Sequence, residues 1–377
     1  MSAVYSDLLV HRLTQLVPAW FQMKVPATHI THINLNIVKS MSDTVLLAHG
    51  SGGIKTQQLI QDYFFKLFDN PILNEATDSA VLDRPKGKIC LTTDNFVVQP
   101  QDFPGGDIGK LAVCGTINDL AVSGAKPQYL SVGFILEEGL LLSDLMRYVK
   151  SMANTAKSAG VRIVTGDTKV VQRNNCDHLY INTTGIGTIQ SEQEHISSGR
   201  KIKSGDAILI NGYIGDHGMA IFSTRFPKQV STKLLSDCNC LNELIGDLLA
   251  KKCKINFMRD PTRGGVAGVL NELSTQLNLG INILEDQLPV RPEVSGLCEI
   301  LGFDPLYLAN EGKVLLICPK EESEKILNIW RKHPLGKNAR QIGHISNEHK
   351  GLVVMQTCYG GKRLIDPMIS DPLPRIC

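Results

Sequence analysis

The 377-residue chain has no apolar run near the roughly 20 residues that a membrane helix needs, and nothing in it reads as a secretory signal. Its ten cysteines are scattered, many in apolar stretches such as those around Cys90, Cys114 and Cys318, so they point to reduced thiols in a cytoplasm. A charge excess is also missing. The 39 Lys+Arg and 37 Asp+Glu leave a net charge of +2, which gives no argument for a nucleic-acid or polyanionic partner. No CxxC or histidine pair completes the one metal-like cluster, Cys238-Asn239-Cys240 with Cys253, so zinc has little support. Neither G-x-x-x-x-G-K-[ST] nor G-x-G-x-x-G occurs, which leaves a P-loop or a Rossmann phosphate site unsupported. If a nucleotide binds, carboxylates and a metal must hold its phosphates, with Lys110, Lys169 and Arg263 as counter-charges.

What is present is an ordinary soluble composition, 43% hydrophobic and 20% charged, long enough for about two domains of roughly 150 residues. Residues 1–40 read as a loosely held extension or a partner-binding helix. A first domain spans 41–190 and a second spans 200–345, separated by the polar, aperiodic stretch Ser191 to Gly205. Residues 346–377 form a closing strand and a tail. The first domain opens with a strand over 44–48 and the turn His49-Gly50-Ser51-Gly52-Gly53. An amphipathic helix follows over 56–68, with Leu59, Ile60, Phe64, Leu67 and Phe68 on one face. A glycine-rich turn before a helix offers backbone N–H groups to a phosphate, or works as a mobile lid. Further helices are expected over 108–123 and 140–159, and strands over 129–136, 161–164 and 179–189. In the second domain helices over 217–226, 241–251, 264–279, 292–301 and 321–330 accompany strands over 207–210, 314–318, 341–345 and 352–356. Some connections are short, so a mixed α+β layer fits better than a doubly wound parallel sheet.

Four segments share one pattern, an apolar run ending in a small-residue turn with an aspartate. They end at Thr93-Asp94, Asn118-Asp119, Gly166-Asp167 and Gly215-Asp216, and a variant is Arg259-Asp260-Pro261-Thr262-Arg263. Alone, each reads as a turn or helix cap. Together they can converge as hard oxygen ligands suited to Mg²⁺ on nucleotide phosphates. Asn310-Glu311-Gly312-Lys313 precedes a strand, which leaves Glu311 as a solvent group or a base facing a cleft. Prolines 367, 372 and 374 hold the last residues extended, giving an arm that carries a thiol, Cys377, at its tip.

The motifs quoted above, with Phe103-Pro104-Gly105-Gly106-Asp107-Ile108-Gly109-Lys110, Gly166-Asp167-Thr168-Lys169-Val170-Val171 and the terminal Pro374-Arg375-Ile376-Cys377, resemble the HypE family. These are hydrogenase expression/formation proteins, carbamoyl dehydratases of the aminoimidazole ribonucleotide synthetase and selenophosphate synthetase superfamily. The likeness runs from about Val45 to Cys377. Residues 1–40 have no counterpart in the family pattern. Relatives often carry a lysine one position before Lys55, so Lys55 is given no catalytic role.

The resemblance implies a two-domain ATP-binding α+β fold like that of aminoimidazole ribonucleotide synthetase, with an extended C-terminal tail and a homodimer formed through the first domains' sheets. It implies that Asp94, Asp119, Asp167 and Asp260 hold Mg²⁺ and phosphates, and that Lys110, Asn118, Thr168, Gly52 and Gly53 flank ATP. The carbamoyltransferase HypF would load a carbamoyl group onto Cys377. ATP would phosphorylate its oxygen, and Glu311, working near Lys169, would take protons as phosphate leaves. The resulting thiocyanate would pass its cyano group to iron on a HypC–HypD complex. The alternatives are another ATP-dependent synthetase or kinase of the superfamily, which leaves Cys377 idle, and a non-enzymatic scaffold.

Overall fold

A computed structural model describes residues 43–228, 232–369, 373 and 375–377; the expected extension over 1–40 and Pro372 and Pro374 of the tail lie outside them. Asp43–Cys377 form a single compact unit built around two sheets.

The first sheet holds β1 (Lys88–Phe96), β2 (Lys126–Glu137), β3 (Arg162–Val171) and β4 (Leu179–Ile189) in the order β1-β4-β2-β3. Only β2 and β3 run parallel. Along β4 the pleat alternates strictly: Leu179, Ile181, Thr183, Gly185, Gly187 and Ile189 are buried, and the residues between them are half-buried. The buried face is covered by α2 (Ile108–Val122), in which thirteen residues are buried, so it has no polar stripe of its own. This helix lies against β1 and β4 on one side and α3 (Leu142–Ser158) on another. Gly185 permits the close approach, since a Cβ there would stand 2.7 Å from Thr116 Cγ2. The opposite face of this sheet is uncovered, and Ile89, Leu91 and Ile135 stand on it exposed.

The second sheet has seven strands: β5 (Ala207–Ile210), β6 (Phe257–Arg259), β7 (Gly280–Leu284), β8 (Leu315–Cys318), β9 (Arg340–Ser346), β10 (Val353–Gln356) and β11 (Lys362–Leu364). Their order is β11-β10-β7-β9-β5-β8-β6, with β7 and β10 the parallel pair. β5 and β8 are buried at every residue. One core packs α6 (Gly265–Leu277) on this sheet, and another packs α5 (Asn242–Ala250) and α8 (Ser323–Trp330) on it. The remaining helices are α4 (Asp216–Arg225) and α7 (Pro292–Leu301).

Three expectations differ. The strand over 44–48 shrinks to a single bridge from Thr44 to Leu141, followed by a tight helical turn at Leu47–Gly50. His49 Nδ1 accepts from the Leu46 amide and pulls the chain out of the sheet. The helix over 56–68 is a longer helical run, α1, from Ile54 to Phe68 with a wide-turned middle at Ile60–Phe65. The helix expected over 264–279 ends at Leu277, and β7, for which no strand is expected, follows it. Asn278, in the left-handed region at φ 51°, closes α6 early and frees Gly280–Leu284 to pair.

Candidate active site

The aspartates are not turn residues. Asp94 lies inside β1, Asp119 inside α2 and Asp167 inside β3, while Asp216 opens α4 and Asp260 follows β6. Strand alternation explains the first: Thr92 and Asp94 face α2, and Thr93 and Asn95 face away. Thr92 Oγ1 donates to Asp119 Oδ2 at 2.7 Å, and Thr116 Oγ1 leans on Asp94 at 3.4 Å.

A cavity of about 610 Å³ opens over this junction between the two sheets. Asp94, Asp119, Asp260, Arg263, Glu311 and Cys377 all line it. Burial, then the charge of Asp119, pushes the Asp94 carboxyl up to about 6. Burial followed by the Asp119 charge pushes Asp260 up to about 7, with the Thr262 hydroxyl opposing at 3.0 Å. Glu311 is pushed well above the carboxylate range, first by burial and then by Cys238 and the surrounding aspartates. Its Oε1 is buried and accepts no hydrogen bond from the protein. Burial and these neighbours therefore favour its protonated form. Three crowded aspartates beside Glu311 in a half-closed space form a site that gains from an incoming cation.

The Glu311 loop is fixed from behind. Asp237 accepts from the amides of Glu311 and Gly312, each at 3.1 Å, and from Lys313 Nζ at 2.9 Å. Sequence reasoning missed Asp237, and no spacing or motif marks it.

Cys377 reaches the cavity because the tail is docked. Arg375 O accepts from the Gln99 amide at 3.0 Å, and Cys377 O accepts from the Val97 amide at 3.1 Å. Arg225 Nη2 donates to Arg375 O at 2.7 Å, and Arg375 pairs with Asp177. Leu373 and Ile376 are buried. The last residues thus extend the β1 end of the first sheet, carrying the thiol toward Asp94.

The other expected site residues fall elsewhere. Asp167, Thr168 and Lys169 line a second cavity of about 350 Å³ with Gly50 and Gly52, walled by Phe64 and other apolar groups of α1. Lys169 Nζ pairs with Asp167 at 3.1 Å, and Gly52 takes the left-handed φ of 81° that its turn needs. Gly53 caps the start of α1. Within one chain, Lys169 is therefore not beside Glu311. Lys110 Nζ donates to Gly105 O at 3.0 Å and lines a different cavity. Asn118 is buried, its side-chain amide donating to the carbonyls of Asn239 and Glu311 and accepting from the Leu241 amide. Cys238 and Cys240 gather with Cys114 rather than Cys253, the Cys114 and Cys240 sulfurs being 3.5 Å apart. Among the described residues no group of His, Cys, Asp and Glu is arranged to hold a metal ion by itself. No helix among them is long and apolar enough to cross a membrane.

Comparisons with known proteins agree with this architecture. Residues 76–189 match the family described as AIR synthase related protein, N-terminal domain, and residues 203–356 match its C-terminal domain. The carbamoyl dehydratase HypE of Rhodobacter capsulatus is 46% identical over 337 residues, covering 89% of this chain and 98% of that protein. A crystal structure of the hydrogenase maturation protein HypE in complex with ATP is 47% identical with a TM-score of 0.85, covering 89% of this chain and 100% of that one. A HypE–HypF complex structure gives 47% identity and a TM-score of 0.71, over 82% of this chain and 99% of that one.

Proposed function

The chain belongs to the HypE family, the carbamoyl dehydratases of hydrogenase maturation, and from that premise we propose that Cys377 carries its substrate. The supporting observation is that the terminal thiol and the Asp94–Asp119–Asp260–Glu311 group line one cavity. In this reading a carbamoyl group arrives on the Cys377 sulfur from HypF, as the HypE–HypF complex of relatives suggests. ATP phosphorylates the carboxamide oxygen, which turns a very poor leaving group into a phosphate ester. One nitrogen-bound proton leaves as the O-phosphate forms, and removal of the second then expels inorganic phosphate and leaves Cys377–S–C≡N. The cyano group is passed on to iron on HypC–HypD.

Glu311 suits the proton removal. Its raised proton affinity makes it a strong acceptor once ionised, and neutralising the neighbouring carboxylates favours that ionisation. Arg263, on the same cavity wall, offers a fixed positive charge to phosphate oxygens. One or two of Asp94, Asp119 and Asp260 would hold Mg²⁺, an ion that takes few carboxylates and needs no dedicated cage when it is bound together with phosphates. When bound, it would supply charge neutralisation during phosphoryl transfer.

We place the homodimer on the uncovered face of the first sheet, where Ile89 is 61% and Leu91 65% exposed. Asp167 also belongs to that face, in register with Gly133 and Asn182. Pairing of two such faces is the arrangement that would carry Asp167, Thr168 and Lys169 toward a second chain. The test is to mix purified protein carrying the Asp94→Ala change with protein carrying Lys169→Ala. Recovered dehydration in the mixture supports a shared site, and none would confine Lys169 to its own chain.

A further inference from the structure

His217 is fully buried, yet no step of the chemistry above uses it. It sits in the first turn of α4, with Phe103 edge-on to its ring at 5.4 Å between centroids. Nε2 lies 2.7 Å from the carbonyl oxygen of Ile376, the residue before the terminal thiol. Nδ1 lies 2.8 Å from Ser236 Oγ, which in turn accepts from the Cys238 amide at 3.1 Å. A carbonyl can only accept, so Nε2 carries the proton. Nδ1 is then the acceptor, and the serine hydroxyl donates to it. Burial lowers the proton affinity of this imidazole, which keeps it neutral with the required tautomer.

Every carbonyl of the last three residues is captured, but not alike. Those of Arg375 and Cys377 bond to backbone amides at Gln99 and Val97, which any extended segment can do. That of Ile376 points to the other side of the tail, where His217 is its partner. Main-chain pairing alone fixes the tail's direction. The His217 bond also fixes which face it turns to the cavity, and so the side to which the Cys377 sulfur projects.

We propose that His217 is a positioning residue, a side-chain latch that holds the loaded tail inward through the Ile376 carbonyl and turns the Cys377 sulfur into the cleft. The inference rests on the reading of Cys377 as the substrate carrier. Ser236 sets the tautomer, so the latch has two members. Releasing this hydrogen bond loosens the tail's last residues, while the pairing at Gln99 and the Arg225 and Asp177 contacts keep its base attached.

Alkylation of Cys377 by iodoacetamide, followed by mass spectrometry of the C-terminal peptide, reads the latch without ATP or cargo. Exposed Cys358 serves as the internal reference. His217→Leu should raise the Cys377 rate about three- to tenfold relative to Cys358, the loss of one buried hydrogen bond. His217→Gln, whose amide nitrogen can reach the Nε2 position, should restore most of the protection. Ser236→Ala, which leaves the ring in place, should give an intermediate rate and serves if the leucine variant does not fold. Single-turnover conversion of carbamoylated protein should slow in the same order. Equal Cys377 rates in wild type, His217→Leu and Ser236→Ala would overturn the latch. Thiocyanate forming on a Cys377→Ala protein would instead overturn the carrier reading beneath it.

Discussion

Replacing Asp260 by asparagine should make the ligand-free protein more stable while disabling it. The Asp260 carboxyl is raised from an ordinary 3.8 to about 7, mainly by burial and then by Asp119. Three units at 1.36 kcal/mol each is about 4 kcal/mol of strain on the ionised form. The carboxyl borders the open cavity, so solvent screening leaves about 1–2 kcal/mol of this. The folded protein binds this proton more tightly than the unfolded chain. Its stabilising contribution is therefore complete below pH ~4 and is lost progressively until the pH passes about 7. The amide of Asp260→Asn keeps an acceptor for the Thr262 hydroxyl and never ionises. Scanning calorimetry should show a gain that is smaller at pH ~5 than at pH ~8. At about 2–4 °C per kcal/mol the full gain is about 2–8 °C. Dehydration by the same variant should be lost. A melting temperature below wild type at pH ~8, or a gain that does not change between pH ~5 and ~8, would refute the crowded-carboxylate account.

Glu311→Gln keeps the buried shape but removes the proton acceptor, and should lower conversion of carbamoylated protein by about 10²–10⁴ in a quench assay. Stability at neutral pH should hold or rise, because burial already disfavours the ionised native side chain. Leu91→Glu places charge in the exposed apolar face of the first sheet and should shift sedimentation from dimer to monomer at unchanged helix content. Asn118→Ala removes three buried hydrogen bonds between α2 and the segments at 239–241 and 311, and should cost about 2–3 kcal/mol in urea unfolding.

Much of the fold was legible because its signals are local. α2, α3, α7, β4 and β5 lie within two residues of where periodicity puts them. The short strands β6 and β11, and β7 behind its early helix stop, carry too few residues to show a period. The site was legible in composition but not in geometry. Asp94, Asp119, Asp260, Glu311 and Cys377 were all marked by their motifs, and they do line one cavity. Asn118 carries the same kind of mark, yet it is turned into the core by contacts more than a hundred residues away. Asp237 and His217 act on backbone groups that sequence cannot place, the latter across 159 residues. The separation of Lys169 from Glu311 follows from strand order, which sets β3 at the far edge from β1.

The central claim is that the chain's own last residue is the site of dehydration. Purified protein incubated with carbamoyl phosphate, ATP and the carbamoyltransferase should be digested and the C-terminal peptide weighed. The account predicts that its thiol hydrogen is replaced by a cyano group on Cys377, and that a Cys377→Ala protein gains nothing. A cyano group found on any other cysteine, or on none, would contradict it.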